Sequence, residues 1–292
     1  MIYKISNKDL TLSICSKGAE LISIIKESPT QIEYMWNGND KFWPRHAPNL
    51  FPITGKLKEG RYELDGNSYS MPVHGFAKDY EYIVVEKTSK KIVFMLESDN
   101  KTKELYPYDF QLYIIYELIN NTVYIEYKVI NLSTTTLFFS IGAHPGFNCP
   151  LFDTESLEDY FLEFEKQETK QVYRHTETGF LSSDPDSFHL TNGKLLPLTN
   201  DLFEDGVYVL KSPRSNWIAL RNKNTNHYVK LTFNDFPYLC LWGRPKAPFI
   251  CFEPWYGVTD IDGSSYDIKK REGIMELDKN KCFKCNYSIT IN

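Results

Sequence analysis

No stretch of this 292-residue chain approaches the ~18 consecutive apolar residues of a membrane-spanning helix. It also lacks a block of Lys and Arg with interleaved aromatics, and its formal net charge is −5. The short basic runs KKR at 269–271 and KNKCFK at 279–284 stand beside acidic residues. A nucleic-acid binder concentrates its cations, so neither nucleic acid nor membrane is an expected partner. There is no G-x-G-x-x-G and no P-loop to hold a nucleotide, no long amphipathic helical period, no fixed-period repeat and no linker-like stretch. Cysteine is sparse. Six residues (Cys15, Cys149, Cys240, Cys251, Cys282 and Cys285) scattered over the chain do not form a disulfide framework. Cys282 and Cys285 make a C-x-x-C, but a tetrahedral zinc site needs a second pair of that spacing, so chance placement is expected. Lys4, Lys8 and Asp9 occupy the place of a signal peptide's apolar segment, and a cytoplasmic location is expected.

What the chain has in quantity is aromatic side chains, 20 Tyr and 19 Phe, which fit pleated, half-buried surfaces and tilt the reading towards sheet. In TVYIEYKVIN (122–131), Val123, Ile125, Tyr127 and Val129 fall on one face, with Tyr124, Glu126 and Lys128 on the other. The run FQLYIIYELI (110–119) precedes it, and Asn120-Asn121 between them predicts a hairpin, because Asn tolerates the positive φ of a tight turn. Similar runs at EYIVVEK, KIVFMLES, YFLEFEK, GVYVLKS, WIALRN, HYVKLTF, PFICFE and NYSITIN are separated by turn clusters such as KEGR, LDGN, SDNK, SPRSN and RNKNTN. The expectation is all-β, a large antiparallel sandwich forming one domain over 1–292. The polar region 176–203 reads as an excursion packed on that domain.

Among the six histidines, His175, His189 and His227 lie in polar, turn-like surroundings and are expected at the surface. His46 neighbours Arg45 and either packs or lines a pocket. His74, in MPVHGFAKD, and His144, in SIGAHPGFNCP, follow apolar strand ends and precede a Gly within two residues, which permits close approach by backbone or ligand. Each also fits a buried histidine with both ring nitrogens bonded to backbone. Glu253, in APFICFEPWYG, is a carboxylate in apolar surroundings, where desolvation raises its pKa towards the range of a general base. A strand-end Glu paired to an Arg such as Arg244 fits equally well. Phe42, Trp43, Phe76, Phe147, Trp242, Trp255 and Tyr256 frame these positions and suit the C–H faces of a sugar, or ordinary core packing.

The motifs HGFAKD, GAHPGF and FEPWYG, in that order, resemble those of the aldose 1-epimerases, or galactose mutarotases. With RHAPNLFPITGKLKEGRYELDGNSY the chain is similar to their LacX-like branch, from about Lys17 to about residue 263. The resemblance implies a β-supersandwich, interconversion of the α and β anomers of a free aldose such as galactose, and neither cofactor nor metal. By position it makes Glu253 the base at the anomeric hydroxyl, His144 the acid at the ring oxygen and His74 the assisting histidine. Asp205, in LFEDGVYVL, becomes the match for a hydroxyl-binding carboxylate, with Glu204 competing. Trp242, one of the framing aromatics, is a further candidate to face the sugar. The chain departs from the family at Lys56, where galactose mutarotases carry an Arg, a planar fork rather than a point charge. Arg45 is the candidate to supply that contact. Alternatives are a non-catalytic sugar-binding module of the same fold or a hexose-6-phosphate 1-epimerase using Arg45, Lys56, Arg244 and Lys246. A glycoside hydrolase with Glu253 and Asp205 as its two carboxylates, or a purely structural sandwich, ranks behind these. Oligomeric state is not legible here.

Overall fold

The computed structural model describes residues 1–292. A nine-stranded antiparallel sheet runs in the order Leu195–Pro197, Tyr160–Phe164, Trp217–Asn222, Tyr228–Thr232, Cys282–Ile291, Thr122–Asn131, Phe110–Ile119, Lys91–Glu97 and Ile83–Lys87. A second sheet runs Tyr208–Lys211, Tyr238–Trp242, Phe249–Tyr256, Ile141–Ala143 and Asn49–Leu50, with Gly146–Asn148 also paired to Phe249–Tyr256. A four-stranded sheet is made by Ile2–Ser6, Leu10–Cys15, Glu20–Lys26 and Ile32–Glu33. The expected all-β, antiparallel architecture is what the chain adopts. Its one α-helix is the short Asn100–Leu105, capped by Asp99, so the SDNK cluster starts a helical turn rather than a loop. No helix is long and apolar enough to cross a membrane.

The period-two strands behave as their patterns dictate. Val123, Ile125, Tyr127 and Val129 are fully buried, and Phe110–Ile119 pairs with Thr122–Asn131 through a turn at Asn120 with φ +53°. One contiguous apolar core runs from Ile5 to Ile291 and takes in Phe188, Leu196 and Leu198, so the 176–203 excursion is packed onto it. The C-x-x-C lies within the strand Cys282–Ile291, where positions i and i+3 face opposite sides: Cys282 is exposed and Cys285 buried. That geometry removes it as a metal or redox pair.

Buried polar groups tie the sheets together. Asn49 donates to the carbonyls of Gly18 (2.9 Å) and Ala19 (3.0 Å) and accepts from the Tyr127 hydroxyl at 2.7 Å. Glu20 accepts the backbone N–H groups of His46 (2.7 Å) and Ala47 (3.0 Å), which fixes the segment carrying Trp43 and Arg45. Each such group would cost ~1–3 kcal/mol if left unsatisfied, so these bonds hold the loop against the core.

Candidate active site

The central strand of the second sheet, Phe249–Tyr256, positions the site. On one side it pairs with Tyr238–Trp242, Cys240 opposite Glu253. On the other it pairs with two short strands separated by His144-Pro145: Gly142 stands opposite Trp255, and Gly146 opposite Cys251. Both registers, continued by two residues, bring His144 opposite Glu253. The side chains meet accordingly, His144 Nε2 lying 3.3 Å from Glu253 Oε2. Successive side chains alternate across a strand, so Gly142, His144 and Gly146 share a face with Cys251, Glu253 and Trp255. A Cβ at Gly142 would lie 2.5 Å from Trp255 Cδ1, and one at Gly146 would lie 2.9 Å from Trp43 Cζ3. The small residues around His144 therefore make room for tryptophans. Trp43 stacks on the His144 ring with centroids 4.7 Å apart, and Trp242 meets that ring edge-on at 5.5 Å.

His74 reaches the same place from a different loop. Its backbone is left-handed (φ +64°), a conformation that costs a non-glycine residue on the order of 1–3 kcal/mol. Gly55 compensates: the His74 N–H donates to the Gly55 carbonyl (2.8 Å), and the Gly55 N–H donates to His74 Nδ1 (3.1 Å). A ring nitrogen that accepts carries no proton, so the His74 proton is on Nε2. The ring stands 5.5 Å from that of His144 and 5.4 Å from that of Trp255.

These groups line a cleft of about 490 Å³, whose rim and walls include Arg45, Lys56, Lys78, His175, Gly179, Gly206, Arg244 and Thr259. A larger depression of about 1070 Å³ at Gln167–Gln171 and Phe188–Thr191 holds no comparable pair. Its carboxylate, Glu168, is occupied by the N–H groups of Ser215 (2.6 Å) and Arg214 (3.1 Å). The paired titratable side chains line the smaller cleft.

Burial dominates the electrostatics. It pushes the Glu253 carboxyl well above the usual carboxylate range and lowers His144 to about 3. Burial, then the charges of His144, Lys78 and His175, lowers His74 well below the ordinary histidine value. At neutral pH both histidines are uncharged. Glu253 Oε1 and His144 Nδ1 are buried without a hydrogen-bond partner, so His144 is not a backbone-satisfied histidine, and Glu253 is paired with His144 rather than with an arginine. Cys251 brings a thiol within 4.8 Å of this pair, a His–Cys–Glu donor set. Burial and the neighbouring Glu253 push that thiol's pKa well up, so it is a protonated, poor metal ligand.

The remaining expected site residues divide. Trp242, Arg45 and Lys56 line the cleft. Arg45 is held by Asp79 (2.5 Å) and the Lys78 carbonyl (3.2 Å), and Lys56 donates to the Thr178 carbonyl (2.8 Å) beneath the Phe180 ring. Asp205 is exposed and is not among the lining residues, although Gly206 and Val207 after it are. Glu253 is thus the only carboxylate lining the cleft, which leaves a two-carboxylate hydrolase without its second group. His175 corrects the expectation of a surface histidine. It is half-buried, lines the cleft, and its Nε2 is sealed without a partner. No motif in VYRHTETGF signals this; only the pairing of distant segments brings it in.

The chain is also similar to known proteins over its whole length. Residues 1–262 match the family described as aldose 1-epimerase. The chain is 32% identical to the chromosomal protein LacX of Lactococcus lactis subsp. lactis, over all of this chain and 99% of that one. It superposes on a galactose mutarotase related enzyme from Lactobacillus acidophilus with a TM-score of 0.94 at 31% identity, covering 100% and 97% of the two chains. A galactose mutarotase-like protein from Lactobacillus casei gives a TM-score of 0.93 at 30% identity, with both chains fully covered. With a family match over most of its length and relatives this similar end to end, the chain belongs to the aldose 1-epimerase family.

Proposed function

We propose that this protein interconverts the α and β anomers of a free aldose, galactose being the first candidate, through the pair Glu253 and His144. The observation that carries the proposal is their 3.3 Å contact inside a tryptophan-lined cleft. In the uncharged pair, Glu253 carries one titratable proton and His144 is an imidazole. Moving that proton across the contact gives a carboxylate and an imidazolium. The imidazolium then protonates the sugar ring oxygen while the carboxylate takes the proton of the C1 hydroxyl. The C1–ring oxygen bond breaks, the C1–O1 bond becomes a carbonyl, and the pair is again uncharged. After rotation about C1–C2, Glu253 returns its proton to O1 as His144 accepts that of the closing hydroxyl, and the other anomer forms. Atoms and charge balance without a cofactor or metal. A positioned acid and a positioned base each contribute ~10²–10⁴-fold.

The His74 Nε2–H donates to the sugar near its ring oxygen. The flat faces of Trp43 and Trp242 take the C–H surface, which fixes the ring and lowers the entropic part of the barrier. Arg45 and Lys56 keep N–H donors for sugar hydroxyls beyond those their protein partners occupy. The test is polarimetry of freshly dissolved α-D-galactose and α-D-glucose. Wild-type protein accelerates the decay of rotation, while folded Glu253→Gln and His144→Asn do not. Exposed Arg244, 5.9 Å from the Trp242 ring centroid, favours a second reading in which the sugar carries a phosphate. Hexose 6-phosphates in the same assay decide it: a higher kcat/KM than for the free sugars, lost in Arg244→Ala, establishes the phosphorylated substrate.

A further inference from the structure

We propose that His175 is a specificity-determining residue, its imidazole ring hydrogen-bonding one hydroxyl of the bound sugar. The inference rests on the aldose reading above and begins from an inventory of the cleft. Every sugar hydroxyl both donates and accepts a hydrogen bond. The lining cations Arg45, Lys56, Lys78 and Arg244 only donate. Thr259 Oγ1 already takes the Lys56 backbone N–H at 3.4 Å, and His74 Nδ1 takes that of Gly55. Outside the His144–Glu253 pair, the lining side chains that keep an acceptor are the deeply buried Thr259, with one hydroxyl lone pair left, and the half-buried, more accessible His175. The carboxylate expected for this task, Asp205, is exposed and off the lining.

The ring is also built into a fixed wall. Tyr173 exchanges two backbone hydrogen bonds with Val209, both 2.9 Å, and the Leu181 N–H donates to the Asp260 carbonyl at 2.9 Å. Asp260 is itself locked by the buried Arg271 at 2.7 Å. Between these anchors His175 bridges to Leu181, and Lys56 clamps the tip through the Thr178 carbonyl. The ring lines the cleft and neither of its nitrogens is hydrogen-bonded to protein; Nε2 is sealed, so Nδ1 is the nitrogen open to a ligand. Burial, then Lys56, lowers His175 to about 4, so it stays uncharged at neutral pH and keeps a lone pair available.

The experiment compares wild type, His175→Phe and His175→Gln on galactose and on its 2-, 3-, 4- and 6-deoxy analogues. Thermal melts confirm folding, and Asp205→Asn serves as the comparison. Loss of one neutral hydrogen bond of ~1.4 kcal/mol corresponds to about tenfold. His175→Phe is expected to raise KM for galactose about tenfold with kcat changed much less, and His175→Gln to recover part of it. For the one deoxy sugar lacking the contacted hydroxyl, wild type and His175→Phe converge. An unchanged KM, or an equal loss on every deoxy sugar, overturns the proposal. If wild type turns over no aldose, that failure belongs to the catalytic reading. Binding of 1,5-anhydrogalactitol, followed by the fluorescence of Trp43, Trp242 and Trp255, then decides on His175. Weaker binding by His175→Phe upholds the proposal; equal binding, or none to either protein, overturns it.

Discussion

His144 Nε2 and Glu253 Oε2 lie 3.3 Å apart because two separate strand pairings, Gly142 with Trp255 and Gly146 with Cys251, each converge on them. A slip of one residue in either pairing would turn one partner to the opposite face. The His144–Glu253 contact is thus a property of sheet register, and His144-Pro145 is the interruption that leaves the histidine facing the cleft.

Burying Glu253 has a stability consequence that Glu253→Gln exposes. The folded state keeps this carboxyl protonated above pH 4.5, where the unfolded chain has released the proton. Stability therefore declines as pH rises above 4.5, until the folded carboxyl itself titrates. The amide variant escapes this loss. It is expected to be catalytically dead yet to melt at a higher temperature than wild type at pH 7–8, the gap closing as pH falls towards 4.5. Calorimetry from pH 4 to 8 checks the sign; a variant destabilised at pH 8 contradicts it.

The pH–rate profile follows from the proton count of the pair. In the proposed mechanism, activity needs one titratable proton shared by Glu253 and His144. A second proton on His144 is taken up only near pH 3, far below an ordinary histidine, so kcat/KM is expected to hold its plateau at pH 5. The alkaline limb appears where Glu253 finally loses its proton and no acid remains. Initial polarimetric rates between pH 4 and 9, with the spontaneous rate subtracted, measure both limbs. A fall centred near pH 6.5 would assign the acid limb to an exposed histidine instead.

Gly142→Ala places a methyl group 2.5 Å from Trp255 Cδ1. Trp255 donates to the Ala143 carbonyl at 3.1 Å and packs against His74, so it cannot move without disturbing the cleft. Overpacking of this kind costs about 1–3 kcal/mol. A lower melting temperature, shifted tryptophan emission and reduced kcat are expected together. Wild-type emission and kcat in the variant would show that the ring is free to yield.

Lys56→Met removes both the bond from the Lys56 ammonium to the Thr178 carbonyl and that ammonium's contact with the Phe180 ring. Hydrogen bonds to charged groups contribute ~1.5–3 kcal/mol. The tip of the hairpin, 176–180, is expected to exchange its amides faster, with little change at the Tyr173–Val209 pairing. Mass-resolved hydrogen exchange reads this directly, and unchanged protection at 176–180 refutes a clamping role for Lys56.

Much of the fold was legible in the chain. The alternation in 122–131, the Asn120 turn and the aromatic excess announce antiparallel sheet, because period-two burial and positive-φ tolerance are local properties. HGFAKD, GAHPGF and FEPWYG single out His74, His144 and Glu253 by local oddity, a polar residue at the end of an apolar run beside Gly or Pro. Other residues gave no such sign. Asp205 and His175 sit in similarly polar, turn-like stretches, yet one is exposed off the cleft and the other lines it.

The sequence by itself determined most strands of the nine-stranded sheet, because alternation decides the face each residue presents, and which three titratable side chains stand out; the sheet over Ile2–Glu33 carried no such signal. Tertiary structure alone decided that they converge, that Arg45 and Lys56 are already engaged with Asp79 and Thr178, and that His175 joins the cleft. The reason is physical. Register between strands a hundred residues apart, and the burial that shifts His144 and Glu253 in opposite directions, arise from long-range pairing that no local pattern encodes.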